Sequence, residues 1–195
     1  MRWGVIAVRN IRLFFKEIPF KWWKEVVYIM AFKQVLIKDF AERPFSLIAD
    51  EWMLVTAGNA QKYNMMTASW GGLGEMWGKP VAVAVIRPQR YTKEFMDQSD
   101  WFTLSFYGDD KSIHKICGSK SGRNTDKTKE TGLTPVFADQ TVYFEQARLV
   151  LICKKLYVQK MDPAGIVDPL VEKWYPDRDY HYMYVGEVQS ILEKE

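Results

Sequence analysis

The segment from Cys117 to Lys127, CGSKSGRNTDK, sets hydroxyls at Ser119, Ser121 and Thr125 and cations at Lys120, Arg123 and Lys127 around Gly118 and Gly122. Backbone N–H groups, hydroxyls and a guanidinium fork are the donors a phosphate oxygen requires. The Gly-Lys-Ser/Thr ending of a Walker A loop is absent, so this is not a triphosphate P-loop. The same composition also suits a solvated polar loop. A second segment, Arg87-Pro-Gln-Arg-Tyr-Thr92, follows an apolar run and precedes a helix start. Arg90, Tyr91 and Thr92 can clamp an anion there; equally, the two arginines can pair with surface carboxylates.

The third segment, Asn64-Met-Met-Thr-Ala-Ser-Trp70, alternates Asn64, Met66, Ala68 and Trp70 on one face with Met65, Thr67 and Ser69 on the other. Polar groups on an otherwise apolar strand suit a flat heterocycle read by side-chain and backbone hydrogen bonds. An ordinary strand with one wet face has the same pattern. The fourth, Asp179 to Glu187, places His181 in an aromatic-rich strand, where a satisfied structural histidine is the commoner role. Cys117 is read in the same way as an inert thiol.

Composition narrows the chemistry. The chain has 195 residues, 48% hydrophobic and 26% charged, as a single soluble domain with some decoration would have. Cys117 and Cys153 show no CxxC spacing, and the two histidines form no HExxH, so neither a disulfide framework nor a metal site is expected. A reducing, cytoplasmic setting follows as the default. The net charge of +3 is local: residues 1–29 hold six basic and two acidic residues, which leaves the remainder at −1. Nucleic-acid binding by the body therefore loses its electrostatic basis.

These segments must be held by short strands. Trp52–Ala57, Asn64–Trp70, Val81–Ile86, Trp101–Tyr107, Ala147–Val158 and Tyr180–Ile191 are β-prone runs punctuated by Gly, Asn and Pro. Val81–Ile86, apolar throughout, reads as a strand buried on both faces. Helical stretches are fewer: Thr92–Asp97, with Thr92 as its cap, and Asp110–Cys117. The pattern predicts a mainly β protein, an antiparallel barrel with a few helices. Residues 1–29 differ from this body. Ile11, Phe14, Phe15, Ile18, Trp22, Val26 and Ile29 form an amphipathic helical stripe. It packs on the body, lies on a membrane surface, or belongs to an over-long start with Met30 as the true initiator. The main domain is accordingly placed at 30–195.

Taken in order, "NMMTASWGGLGEMWGKPVAVAVIRPQRYT", "CGSKSGRNTDK", "EQARLVLICKKLYVQ" and "DYHYMYVGEV" resemble the flavin reductase-like domain family, in particular its flavoredoxin-like branch, from about Pro44 to Val188. The resemblance implies an antiparallel, Greek-key FMN-binding split barrel, a homodimer, and non-covalent FMN near the dimer interface. It also implies electrons from NADH, NADPH or a redox partner protein. By that resemblance Asn64, Met65, Thr67, Ala68, Ser69 and Trp70 border the flavin ring. Arg90, Tyr91, Thr92, Ser119, Ser121, Arg123 and Lys127 serve its phosphate and ribityl chain, and His181 stands where a nicotinamide stacks.

Overall fold

A computed structural model describes residues 32–138 and 140–195; the readings of residues 1–29 lie outside the described residues. Ten strands form among the described residues: the six that the sequence predicts and four, at Phe32–Val35, Gly71–Met76, Pro135–Ala138 and Thr141–Phe144, that it does not. These are β1 (Phe32–Val35), β2 (Met53–Gly58), β3 (Tyr63–Ala68), β4 (Gly71–Met76), β5 (Lys79–Ile86), β6 (Trp101–Phe106), β7 (Pro135–Ala138), β8 (Thr141–Phe144), β9 (Leu149–Lys160) and β10 (Tyr182–Lys194). All pairings are antiparallel, and the main sheet runs β3-β2-β6-β9-β10-β5-β4 with β1 added to β10. The first and last strands of that path are joined by only Ser69 and Trp70. The sheet must therefore curl until β3 and β4 meet at that corner, which makes it a barrel.

Strand alternation divides the side chains between the inside and outside of the curl. Met53, Val55, Met66, Ala68, Ala84, Phe102, Leu104 and Tyr184 belong to the main buried cluster. The residues between them, Leu54 and Met65, instead join Ile113 and Cys117 in a second cluster. A helix thus packs on the outer face of β2 and β3. Burial of such aliphatic and aromatic side chains contributes about 1.5–3 kcal/mol each and dominates the stability.

Four α-helices complete the body among the described residues, beside short 3-10 turns. A short helix α1 (Pro44–Ser46) runs on as a π-helical turn, Leu47–Glu51. It is followed by α2 (Thr92–Gln98), α3 (Ser112–Ser119) and α4 (Lys127–Thr131). Phe95 and Met96 of α2 enter the main cluster, and α3 supplies Ile113 and Cys117 to the second.

Several local readings are corrected. Thr92 does not cap α2: Tyr91 occupies the cap position and no side chain caps that end. The Thr92 hydroxyl faces inward and accepts a hydrogen bond from Asn64. The polar stretch 117–127 is not one loop. α3 continues to Ser119, and α4 opens at Lys127 behind Asp126, whose side chain accepts from the Lys129 N–H as a true N-cap. Gly71 and Gly72 do not end a strand but begin β4. Its glycine-rich sequence carries no alternating signal, and its pairing with β5 holds it in place.

Candidate functional site

β3 ends in Ala68, and the chain turns through Ser69 and Trp70 into β4. The exit of β5 carries Arg87 to the same place, and β10 starts one residue after His181. Antiparallel pairing of β10 with β5 sets Tyr182 opposite Ile86, which fixes His181 beside Arg87. The result is a cleft of about 240 Å³ lined by Thr67, Ala68, Ser69, Trp70, Arg90 and His181, with Met66, Val85, Arg87 and Trp174 completing it.

The walls combine flat rings and cations. The rings of Trp70 and His181 lie 4.9 Å apart, and Trp174 meets Trp70 edge-on at 5.3 Å. His181 is buried and shares a 2.9 Å hydrogen bond through Nδ1 with the Tyr175 hydroxyl. Burial, and then the positive charge of Arg87, push its pKa down to about 4, so it is neutral at pH 7. Arg87 donates to Asp179 at 2.5 Å and to the Trp174 carbonyl at 2.8 Å. These bonds strap the Pro169–Trp174 turn across the strand exit.

A second set of contacts ties the polar segments to the strand. Asn64 donates from Nδ2 to Thr92 Oγ1 at 2.8 Å. A Cβ on Gly122 would lie 2.0 Å from Asn64 Oδ1, so the 120–126 loop approaches β3 this closely only because residue 122 has no side chain. Arg90 donates to the Gly118 carbonyl at 2.8 Å. Lys127, only 5% exposed, donates to the Met65 and Cys117 carbonyls at 2.8 and 2.9 Å. Two cations thus meet carbonyls at the C-terminal end of α3, where the helix dipole is negative. Burial lowers the Lys127 pKa from its ordinary value.

On the outer face, the Thr67 hydroxyl donates to the His114 carbonyl at 3.0 Å, leaving its oxygen to accept from His114 Nδ1–H at 3.1 Å. Burial, with Lys111 nearby, pushes His114 down to about 4. Burial likewise raises Cys117 to about 11, so its thiol stays protonated and unreactive at neutral pH.

The expected residues therefore fall into three groups. Thr67, Ala68, Ser69, Trp70, Arg90 and His181 line one cleft. Asn64, Thr92 and Lys127 are buried behind it and hold its parts together, while Met65 packs outward against α3. Ser119, Ser121, Arg123 and Tyr91 stand at the margin. Ser119 donates to Lys115 O, Ser121 Oγ accepts from the Arg123 N–H, and Arg123 pairs with Glu94 and lies over the Tyr91 ring. Met66, Val85, Arg87 and Trp174 are lining residues that were not among the expected ligands. Trp174 stands in a Pro- and Asp-rich stretch where neither strand nor helix spacing explains a large ring, and that mismatch is the signal it leaves in the sequence. Among the described residues no group of His, Cys, Asp and Glu could hold a metal.

The geometry suits a flat heterocycle with an anionic tail: ring walls, a strand end with free backbone groups, and uncompensated cation donors on Arg90. It offers no nucleophile–base pair and no paired carboxylates. A family model described as "Flavin reductase like domain" matches residues 45–195. No curated protein matches the sequence. Among solved structures, flavoredoxin of Desulfovibrio vulgaris (Miyazaki F) is similar at 20% identity and a TM-score of 0.59, over 84% of this chain and 77% of that one. An FMN-binding domain of a flavin reductase-like enzyme from Shewanella baltica gives 17% identity and 0.59 over the same shares. A Streptomyces globisporus NADH:FAD oxidoreductase, in complex with NAD and FAD fragments, gives 14% and 0.54, over 73% of this chain and 74% of that one.

Proposed function

Given that the chain belongs to the flavin reductase-like domain family, we propose that it is an FMN-binding oxidoreductase passing electrons from NADH, NADPH or another donor through the flavin. The observation that carries this reading is the joining of the Thr67–Trp70 corner, Arg90 and His181 in one cleft. When bound, FMN would supply the hydride and electron chemistry, the protein supplying position and electrostatics.

The chain's own residues do the rest. The 67–70 backbone offers hydrogen bonds to the edge of the ring, and Trp70 gives it an apolar wall. Arg90 would hold the phosphate with the donors that Gly118 does not use. Ser119, Ser121 and Arg123 would hold the tail, Arg123 being paired with Glu94 in its absence. Neutral His181 lines the cleft without adding charge. No proton-transfer group is needed for hydride transfer, so the lack of a catalytic triad is consistent. The neighbours named flavoredoxin and NADH:FAD oxidoreductase support the redox class, and two buried free cysteines suit a reducing, cytoplasmic setting. Among the described residues no helix is long and apolar enough to cross a membrane.

A homodimer is part of the proposal. Trp77, Val167, Leu170 and Trp174 are exposed large apolar residues, and aromatic residues of this kind are enriched where subunits meet. Light scattering should give twice the 22.9 kDa chain mass; a monomer that retains FMN would remove this part.

The test of function is the visible spectrum. Purified protein titrated with FMN should turn yellow and bleach anaerobically with NADH or NADPH. Riboflavin, which lacks the phosphate, should bind more weakly. Equal affinity for the two would reject the cationic segments as the phosphate site. Bleaching without steady-state turnover, even with free FMN added, would mark an electron carrier instead of a reductase.

A further inference from the structure

We infer that an apolar lobe on the far side of Trp70 binds a small, planar, uncharged molecule, the electron acceptor of the reaction. The acceptor role rests on the flavin reading of the neighbouring cleft; the binding itself does not. The lobe has a volume of about 500 Å³ and is walled by Phe45, Ile48, Ala49, Trp70 and Leu73, with Gly72 at one side. Pockets for small organic ligands are roughly 300–1,000 Å³ and mostly apolar.

Three observations specify the occupant. First, Ser69 and Trp70 line both spaces. A molecule in the lobe is thus one indole away from the cleft, a separation that electrons can cross. Second, the two spaces differ in charge. Arg87 and Arg90 line the cleft, while no lining side chain of the lobe is charged and its only polar side-chain groups are the Ser69 hydroxyl and the Trp70 indole N–H. A phosphate or carboxylate would lose its hydration there without a counter-charge, which selects against nucleotides and for a neutral ring. Third, the lobe is kept open. Phe45 is 91% exposed at its rim, so its ring gains contact only from something laid against it. Gly72 has neither a positive φ nor any atom within 4 Å of where a Cβ would stand, so the fold does not require glycine there.

A quinone fits these terms. In net terms it takes up two electrons and two protons to give a hydroquinone, while NAD(P)H loses a hydride and solvent supplies the second proton.

The test uses the full chain loaded with FMN, in air and without NAD(P)H, titrated calorimetrically with menadione and, separately, with anthraquinone-2-sulfonate. Menadione should bind and the sulfonate should bind about tenfold more weakly or worse. Ala49→Trp, which fills the lobe from an exposed helical position, and Phe45→Ala, at a site too exposed to unfold the chain, should each weaken menadione by about tenfold. FMN titrations of both variants should match the parent. Menadione affinity unchanged in both variants would overturn the inference. So would a dimer that dissociates in both, since a second copy of the chain would then occupy the lobe. If FMN fails to bind while menadione binding still responds to both variants, the binding site stands and its role as acceptor site falls with the flavin reading.

Discussion

The side-chain amide of Asn64 donates to Thr92 Oγ1 at 2.8 Å and links the start of β3 to the first residue of α2. The same side chain's Oδ1 sits against Gly122. One buried amide thereby joins the strand, the helix after Arg90 and the polar loop. Gly122→Ala should break this junction, because the added methyl displaces an oxygen that cannot move without losing Thr92. Expected costs are about 1–3 kcal/mol of stability and a weaker FMN titration. Adding Asn64→Ser to Gly122→Ala should recover part of both by making room. A Gly122→Ala protein with parental stability would refute the junction.

Arg90 and Arg123 should not be equivalent. Arg90 lines the cleft with donors to spare, so Arg90→Ala should weaken FMN by roughly ten- to a hundredfold, or about 1.5–3 kcal/mol for a lost charge-assisted contact. Arg123 is held by Glu94 on the surface and must leave that pair to reach a ligand. Arg123→Ala should therefore cost FMN affinity less, with little change in fold stability. Fluorescence titration of both variants ranks them, and the reverse order would move the phosphate to the 120–126 loop.

Lys127 holds two main-chain carbonyls from a buried position. Lys127→Met should leave both acceptors without their partner and lower apo-protein stability by about 1–3 kcal/mol, read as a reduced urea midpoint. A variant as stable as the parent that has lost only FMN affinity would make Lys127 a direct phosphate ligand.

Stability should depend on pH through the two histidines. His114 and His181 have ordinary values of 6.5 and folded values of about 4, both lowered first by burial. Below pH 6.5 the unfolded chain takes up protons that the folded chain refuses. Stability is therefore full above about pH 6.5 and is lost as pH falls toward 4. Thermal melts across this window should show the decline, and His181→Gln should flatten part of it. A parental melting temperature constant from pH 7 to 4.5 would contradict both burials. Flavin reduction rates should vary little between pH 6.5 and 8, since neither histidine changes charge there.

Much of this was legible in the residues themselves. The apolar run Val81–Ile86 favours a strand because it is short, rich in β-branched residues and bounded by Pro80 and Pro88, and β5 forms there. The Asn64–Ala68 alternation marks two faces, and the structure separates Met66 from Met65 accordingly. Closure of the curl decides the remainder. Val85 and Trp70 lie far from His181 in sequence, and only the β10–β5 register and the two-residue corner between β3 and β4 bring them to one cleft. Whether a cation faces a ligand or a carbonyl also depends on that closure. Lys127 and Arg123 have the same sign and stand four positions apart. One is buried on the end of α3 and the other reaches across to Glu94, because burial and partner are set by elements that meet only after folding. Composition can count donors, but their direction comes from packing.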